Sequence, residues 1–333
     1  NNNFKKMLLK RFKNVLLITL LSTVIFSCKK DDDDATITPP KDRTVQYGED
    51  ESTINTYFEE NYMTVDADMN VTIAKITDPL TQVSIKDQTD YPLQFIENVK
   101  NDSRQTYLKG GRVEDPVNYK LYYIILNEGG GQSPTTVDSS FVDYRGWNFS
   151  NVEFDRTSSP VWTSFPSSTN EFISGFRQIL PKIKTPETVT PNDDGTISYT
   201  NYGNCVVFIP SGLAYFNLSR GTNIPPYSNI AFQIKLKGLR YNDHDRDKIL
   251  SKDEIYNPSG DTDIGLFNQD SDGDGIPDFL DSDDDADGVL TRNELKIPGT
   301  NPQQYYQFND IPDCSGNQVD PNRTKKHLNP ICQ

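Results

Sequence analysis

Histidine and cysteine are scarce in this sequence, which has two histidines and four cysteines among 333 residues. They do not form a cluster with the ligand spacing of a zinc site. The sequence also shows no Ser-His-Asp pattern and no glycine-rich phosphate-binding loop. The sequence therefore gives no support for three enzyme classes: a zinc enzyme, a serine hydrolase and a nucleotide-dependent enzyme.

Basic residues are also in short supply. The chain has 33 lysines and arginines against 48 aspartates and glutamates, for a net charge of −15. Because nucleic-acid binding requires basic patches that neutralise phosphates, no nucleic-acid partner is expected. Only 34% of the residues are hydrophobic, so long polar segments are expected. The aromatic residues are concentrated between Tyr119 and Tyr241, which predicts where the core lies.

The first 27 residues have the pattern of an export signal. Five basic residues precede a 12-residue apolar stretch over 15–26, which ends at Ser27 and Cys28. This is typical of a secretory signal peptide and is short for a permanent membrane span. A cysteine directly after a small residue resembles a lipobox, although Phe26 departs from that pattern. The resemblance implies acylation of Cys28 and anchoring to the outer membrane; the alternative is an ordinary signal peptide with an incidental cysteine.

Residues 28–48 are predicted to form an acidic flexible tether. Four aspartates at 31–34 are followed by threonine and proline up to Pro40, and such a composition cannot bury apolar surface. The run resembles the acidic stretch that directs lipoproteins of Bacteroidota to the cell surface. The cell surface is therefore expected, with the periplasmic face as the alternative.

Residues 49–115 form a predicted N-terminal extension. A short helix is expected over 51–62, with Ile54, Tyr57 and Phe58 on one side. Residues 63–115 are polar and receive no assignment.

Residues 116–240 have the periodicity of an α+β domain. Strands are expected over 117–126, 140–144, 206–209 and 230–236, where apolar and aromatic residues run continuously or alternate. Several antiparallel strands with one helix predict a sheet wrapped on that helix.

The helix is expected between these strands. Apolar residues from Phe172 to Ile183 form one stripe of an amphipathic helix. A polar residue over 168–170 would cap its start, and Pro181 would end or bend it.

Five short patterns in this region occur in a fixed order. They are V-D-Y-R-G at 142–146, E-F-D at 153–155, E-F-I-S-G-F at 171–176, I-P-S-G-L-A-Y at 209–215, and I-P-P at 224–226 followed by N-I-A-F at 229–232. Together they resemble the signatures of FKBP-type peptidyl-prolyl cis–trans isomerases over about residues 116–240. The resemblance implies an FKBP-like antiparallel sheet wrapped on one helix.

The resemblance also implies an isomerase site. The proline pocket would be lined by Tyr144, Phe154, Phe172, Ile173, Phe176 and Phe232. Tyr215 would donate its hydroxyl to a substrate carbonyl, the backbone N–H of Ile224 would be a second donor, and Asp155 would orient groups at the edge. Rotation about an X-Pro bond requires no nucleophile, so no catalytic cofactor is expected. The alternative is that these aromatic residues only fill a core.

Three features depart from the family pattern. Phe176 stands where tryptophan is usual at the pocket floor. Phe216 follows Tyr215 where glycine is common, so the loop after it is expected to turn differently. Residues 186–202 are an insertion before the next strand.

Residues 241–296 contain 17 acidic and five basic residues. Three loops place oxygen ligands at EF-hand-like spacing, with glycine at the sixth position of the second and third loops and Lys248 at that of the first. The first loop would use Asp243, Asp245, Asp247, Ile249, Ser251 and Glu254; the second Asp270, Asp272, Asp274, Asp278 and Asp281; the third Asp283, Asp285, Asp287, Val289, Thr291 and Glu294. Their tight overlap resembles thrombospondin type 3 repeats. These hard oxygen ligands predict structural Ca²⁺, the alternative being a solvated acidic tail.

The other cysteines have separate predicted roles. Cys205 lies beside the strand over 206–209 and is expected to be a buried thiol. Cys314 and Cys332 lie near the end of a chain expected in an oxidising compartment, where a disulfide between them would close the tail over 297–333.

The first functional hypothesis is an outer-membrane-anchored prolyl isomerase that acts on X-Pro segments of exported proteins and assists their folding. The alternative is a catalytically weak FKBP-fold binding subunit of an outer-membrane β-barrel translocon or another surface assembly. A third hypothesis, adhesion through the calcium loops, has less support because that region is short.

Overall fold

The computed structural model describes residues 39–102, 115–166, 172–255 and 269–332. The predicted signal peptide, the predicted lipid attachment at Cys28 and most of the predicted tether lie outside these ranges. Within them, no helix is both long and apolar enough to cross a bilayer.

The described elements are mostly strands, with few helices between them. In chain order they are helix α1 (Arg43–Glu60), strands β1 (Asn61–Val65), β2 (Val71–Lys75), β3 (Gln94–Val99), β4 (Tyr119–Asn127), β5 (Ser139–Asn148), β6 (Glu153–Arg156) and β7 (Val161–Thr163), helix α2 (Ser174–Ile179), strands β8 (Thr188–Pro191), β9 (Ile197–Thr200), β10 (Asn204–Ile209) and β11 (Ile230–Arg240), and helix α3 (Thr291–Glu294).

The central sheet is antiparallel throughout. Its spatial order is β3-β4-β10-β11-β5-β6, and β7 pairs with β5 beside β6. The predicted strands over 117–126, 140–144, 206–209 and 230–236 all belong to it, as β4, β5, β10 and β11. The predicted α+β class, with an antiparallel sheet and few helices, is confirmed.

Both faces of the sheet are covered. In the central strand β10, Cys205, Val207 and Ile209 face one apolar cluster, and the alternating Val206 and Phe208 face another. All these side chains are fully buried. A central strand buried on both faces has a continuous apolar sequence because successive side chains point in opposite directions.

Helix α2 covers the first face. It begins at Ser174 with Ile173 as its N-cap and has no side-chain cap. The residues predicted to cap the helix, at 168–170, lie outside the described ranges. After α2, a 3-10 turn over Leu180–Lys182 contains Pro181, and the chain is extended at Ile183. The predicted effect of Pro181 is confirmed.

Helix α1 covers the second face with Ile54, Tyr57 and Phe58, as predicted. It begins earlier than expected, because the Asp42 carboxylate accepts hydrogen bonds from the backbone N–H groups of Thr44 and Val45. The predicted flexible tether therefore does not extend through residue 48.

The unassigned part of the extension also has regular structure. Strands β1 and β2 form a hairpin, and β3 adds an edge strand to the main sheet beside β4. The insertion over 186–202 forms a second hairpin, β8 with β9, whose side chains are largely exposed. The N-terminal extension thus supplies one layer and one edge strand of the same fold.

The chain after β11 has loops and short helical turns. Ile249, Leu295 and Ile311 form a small apolar cluster there. Cys314 and Cys332 are joined by a disulfide, with their Cα atoms 5.1 Å apart. Cys205 is a free buried thiol in the main core.

Candidate functional site

An aromatic cluster forms on the face of the sheet that α2 covers. The ring of Tyr144 on β5 contacts Phe172, Phe176 and Phe232 edge-on, with ring centroids 5.3, 5.6 and 5.8 Å away. Phe154 on β6 contacts Phe232 in the same way at 5.5 Å. Such edge-to-face pairs are favourable because the positive edge of one ring meets the negative face of the other. Five positions from three strands and one helical segment therefore meet at one place.

The cluster has a buried floor and a partly exposed rim. Phe176, Phe232 and Ile224 are 0%, 3% and 5% exposed. Five residues pack against them while keeping part of their surface accessible: Tyr144, Phe154, Phe172, Ile173 and Tyr215. The arrangement offers an apolar surface open on one side.

The ring of Phe172 lies flat on that of Phe176, with centroids 4.6 Å apart and an angle of 15° between planes. Phe172 therefore shields the residue that occupies the predicted pocket floor.

Hydroxyl donors stand at the edge of the cluster. The Tyr144 hydroxyl donates to the carboxylate of the exposed Asp155 at 2.9 Å. Burial raises the pKa of Tyr144, and the Asp155 carboxylate adds to that rise. Burial also raises the pKa of Tyr215, while the Arg220 guanidinium opposes the rise. Both tyrosines therefore remain protonated donors at neutral pH.

Gly146 on β5 is required by the closeness of these rings. A Cβ atom at this position would lie 2.5 Å from Phe232 and 2.8 Å from Phe154. The glycine of the V-D-Y-R-G pattern thus lets two aromatic side chains pack onto the strand.

The loop after Tyr215 has a backbone conformation that favours glycine. Phe216 has a φ of 51°, in the left-handed region. The expected difference between this turn and that of the FKBP pattern stays a prediction. The Phe216 ring packs edge-on against Tyr227, and the Arg43 guanidinium lies 4.1 Å from its centroid. The substitution ties this loop to the start of α1.

Asp50, a residue that positions this loop, was not anticipated from the sequence. Asp50 on α1 is 1% exposed and accepts hydrogen bonds from Ser211 and from the Gln46 side chain. Burial raises the pKa of Asp50, although these hydrogen bonds oppose the rise. A signal was present, because Asp50 lies four residues before Ile54 on the apolar face of the helix.

A separate open cleft of about 230 Å³ meets the aromatic cluster only at Tyr144. Its other lining residues are polar: Asn70, Asp143, Arg145, Arg156, Thr157, Gln233 and Lys235. The aromatic cluster suits an apolar ligand better, since its exposed groups are rings rather than charges.

The three acidic loops share one local geometry. In each, the backbone N–H of the fifth residue donates to the side chain of the third, and that of the seventh donates to the side chain of the fifth. In the first loop these donors are Asp247 and Ile249, at 3.1 and 2.7 Å. The carboxylates at positions one, three and five approach one another within 4.8 Å in every loop.

Lys248 adopts the backbone conformation of the glycine it replaces. Its φ is 93°, compared with 95° for Gly275 and 89° for Gly288 at the sixth position of the other loops. A positive φ is unfavourable for a residue with a Cβ atom, so the first loop makes the same turn under backbone strain.

The ninth positions have another role. Ser251, Asp278 and Thr291 each accept a hydrogen bond from the backbone N–H of the second loop residue, at 3.2, 2.7 and 3.2 Å. These oxygens brace the loops.

The first and third loops contain buried carboxylate oxygens that lack a hydrogen-bond partner within the described ranges. They belong to Asp243, Asp245, Asp247 and Glu254 in the first loop, and to Asp283, Asp285, Asp287 and Glu294 in the third. Because buried carboxylates are normally paired or bound to a metal, these oxygens fit a hard cation. The middle-loop residues Asp270, Asp272 and Asp274 are more exposed.

Burial and the neighbouring carboxylates raise the pKa values of the twelfth residues of the first and third loops. Burial, followed by the nearby Asp245 and Asp247, raises the pKa of Glu254 to about 12. Burial and then Asp285 and Asp287 raise that of Glu294 to about 8. Each loop's twelfth residue thus faces the third and fifth residues of its own loop.

Comparisons with known proteins give matches of limited extent. The family model described as BamM C-terminal matches residues 244–321. No curated protein matches the sequence. A peptidyl-prolyl cis–trans isomerase structure from Pseudomonas syringae pv. tomato DC3000 covers 61% of this chain and 98% of its own, with 15% identity and a TM-score of 0.33. The structure of FkpA from Escherichia coli covers 36% of this chain and 48% of its own, with 24% identity and a TM-score of 0.29.

Proposed function

We propose that this protein is an FKBP-type peptidyl-prolyl cis–trans isomerase that acts on X-Pro segments of exported proteins. The observation that carries the proposal is the aromatic cluster, in which a buried Phe176 and Phe232 lie beneath a partly exposed rim with Tyr144 and Asp155 at its edge.

Prolyl isomerisation depends on an apolar binding surface with hydrogen-bond donors and requires no nucleophilic side chain. Rotation about a peptide bond meets a barrier of about 20 kcal/mol because resonance must be broken. An apolar surface disfavours the more dipolar planar amide, and nearby donors stabilise the twisted carbonyl. In this protein the rings would hold the prolyl side chain, while the Tyr215 hydroxyl and the Ile224 backbone N–H would donate to substrate carbonyls.

The stacking of Phe172 on Phe176 sets a condition on substrate binding. A prolyl ring packs on Phe172 as it stands, or reaches Phe176 only after the Phe172 ring turns aside. The second route requires breaking a stacked pair worth about 1 kcal/mol, a modest cost for a bound substrate.

The proposal is tested with the full chain purified in detergent and a short X-Pro peptide. Tyr215→Phe and Phe154→Ala are expected to lower the isomerisation rate at least tenfold, because one removes a donor and the other a rim ring. Phe95→Ala, a half-exposed ring on the edge strand β3, is the matched control and should leave the rate unchanged. A wild-type protein that is folded but has no isomerase activity would contradict the enzyme proposal.

A second candidate is a catalytically weak binding subunit of an outer-membrane translocon or another surface assembly. The match of residues 244–321 to the BamM C-terminal model favours it, because a second recognised region follows the aromatic cluster and would supply a further contact surface. The covering of Phe176 by Phe172 favours it as well. Native gel electrophoresis of solubilised outer membranes tests it: the tagged chain should migrate with a β-barrel protein, and migration as a free chain counts against it.

We further propose that acylated Cys28 anchors the chain to the outer membrane, with its domain at the cell surface. The support is the sequence pattern around Cys28. A Cys28→Ala variant should lose labelling by a fatty acid and leave the membrane fraction. Protease added to intact cells should digest the wild-type domain if it is surface-exposed and spare it if it faces the periplasm.

The acidic loops are proposed to bind structural Ca²⁺ through the carboxylates at positions one, three, five and twelve. The support is the shared loop geometry and the unpartnered oxygens of the first and third loops. A bound cation would neutralise these carboxylates and hold each loop closed. Calorimetric titration of chelator-treated protein with Ca²⁺ should detect binding, and the absence of any heat of binding would contradict it.

A further inference from the structure

We propose that Asp245, Glu254 and Asp284 bind one divalent cation between the first and third acidic loops. The site joins two loops that the sequence pattern treats as separate. It rests on the proposed Ca²⁺ binding of the loops and is independent of isomerase activity.

The three carboxylates converge. One oxygen from each of Asp245, Glu254 and Asp284 lies within 4.8 Å of the other two. Asp245 and Glu254 are the third and twelfth residues of the first loop, whereas Asp284 is the second residue of the third loop, a position that the EF-hand pattern does not use. Three ionised carboxylates this close repel one another, and either protonation or a cation between them relieves the repulsion.

A second observation points to a ligand. Glu254 and Asp284 are 5% and 2% exposed, and both oxygens of each are buried without a hydrogen-bond partner in the described part of the chain. Asp278 lines the same place, but its two oxygens accept hydrogen bonds from Ser271. The contrast shows which side chains are already satisfied and which remain available to an ion.

The local backbone explains why Asp284 faces away from its own loop. Asp283 and Asp285 contribute to the third-loop cluster, while Asp284 between them contributes to the cluster with the first loop. The chain bends and turns over residues 282–285, so neighbouring side chains there project to different sides. A run of three aspartates at 283–285 can therefore serve two sites.

The space beside these carboxylates is small. A cavity of about 10 Å³ is bordered by Glu254, Asp278, Asp284 and His327, among other residues. This is close to the smallest volume that holds one water molecule, so it suits a single ion better than an organic ligand. Carboxylate oxygens on flexible loops favour Ca²⁺ among the common divalent cations.

The test compares Asp284→Asn with Asp310→Asn in the full chain purified in detergent, stripped with chelator and titrated with Ca²⁺ by calorimetry. Asp284→Asn is expected to weaken the binding of one Ca²⁺ at least tenfold. Asp310 is exposed and lies outside the acidic loops, so Asp310→Asn should leave the binding of every Ca²⁺ unchanged. Wild-type stoichiometry and affinities in Asp284→Asn would overturn the proposal while leaving Ca²⁺ binding by the loops intact; no binding by the wild-type protein would overturn both.

Thermal unfolding gives a second test, because the expected change in Tm has opposite signs in chelator and in Ca²⁺. Asp284→Asn should raise Tm in chelator, because it removes repulsion, and lower Tm in Ca²⁺, because it removes a ligand. An equal rise in both conditions would mean that Asp284 only repels its neighbours, and would overturn the site. If the asparagine variant does not fold, the smaller Asp284→Ser is measured in the same way.

Discussion

The carboxylate of Asp50 accepts two hydrogen bonds from Ser211, one from its backbone N–H at 2.9 Å and one from its hydroxyl at 2.7 Å. The two residues are 161 positions apart in the sequence. Asp50 belongs to the N-terminal helix α1, and Ser211 begins the segment that leads to Tyr215. The helix on one face of the sheet thus holds the loop that presents a proposed substrate-binding hydroxyl on the other.

Replacing Asp50 tests this connection through stability. Asp50→Ala leaves the buried hydroxyl of Ser211 without its acceptor, while the Ser211 backbone N–H keeps Asn229 Oδ1 at 3.1 Å. The free energy of unfolding should fall by about 2 kcal/mol. Asp50→Asn keeps one acceptor oxygen and can donate to Gln46, whose own oxygen has no partner. Below about pH 4 the asparagine variant should therefore be close to the wild type in urea unfolding. Equal losses in both variants would contradict the role of the hydrogen bonds.

The same pair predicts a pH dependence. Because the pKa of Asp50 is raised by burial, the folded protein binds this proton more tightly than the unfolded one, whose pKa is about 4. The stability that Asp50 contributes is full below that value and is lost as pH rises through the folded-state pKa. The stability of the asparagine variant relative to the wild type should accordingly increase as pH rises above about 4, because the wild type must ionise a buried carboxyl. A difference in urea unfolding that stays constant as pH rises would contradict the sign.

Gly146→Ala should disturb the aromatic cluster, because the rings of Phe154 and Phe232 pack directly onto this position of β5. The added methyl group would lie 2.5 Å from the Phe232 ring, so the rings must shift, at a cost of about 2 kcal/mol. The X-Pro isomerisation rate should fall together with the free energy of unfolding. Gly48→Ala is the matched control, because this exposed position in α1 has nothing within 4 Å and the change should add about 1 kcal/mol. Unchanged stability and activity in Gly146→Ala would show that the cluster is loosely packed.

Chelation of divalent cations should affect only the C-terminal part of the chain. The buried carboxylates would lose their counter-charge, and residues 241–296 should become more sensitive to protease. The aromatic core contains no metal-binding cluster in its described residues, so its near-ultraviolet circular dichroism should be retained. Equal cleavage with and without chelator would contradict the calcium proposal.

Mild reduction should distinguish the cysteines. Opening the Cys314–Cys332 bond, which spans 18 positions, removes a constraint worth about 3 kcal/mol in the chain-entropy model. Iodoacetamide should then label these two cysteines, while Cys205, at 0% exposure, stays protected until the domain unfolds. Mass spectrometry of the peptides measures both, and rapid labelling of Cys205 in the native protein would contradict its burial.

Much of the main sheet could be predicted because strand signals are local. Alternation over 230–236 and the apolar run over 206–209 identify β11 and β10, since side-chain direction repeats every two residues. The repeated spacing of aspartates likewise identifies the three loops. The family resemblance brought Tyr144, Phe154, Phe172, Phe176 and Phe232 into one proposed site, and the structure places their rings in contact.

Contacts between distant segments were decided by tertiary packing. No short-range pattern pairs Asp50 with Ser211, assigns β3 to the main sheet, or turns Asp284 toward the first loop rather than its own. The start of α1 at Arg43 depends on a cap whose local signal, Asp42, is common in loops as well. By itself the sequence identified strands β4, β5, β10 and β11 and the residue types of the candidate sites, because these depend on neighbours along the chain. Which faces are covered, and which carboxylates meet, depended on burial in three dimensions.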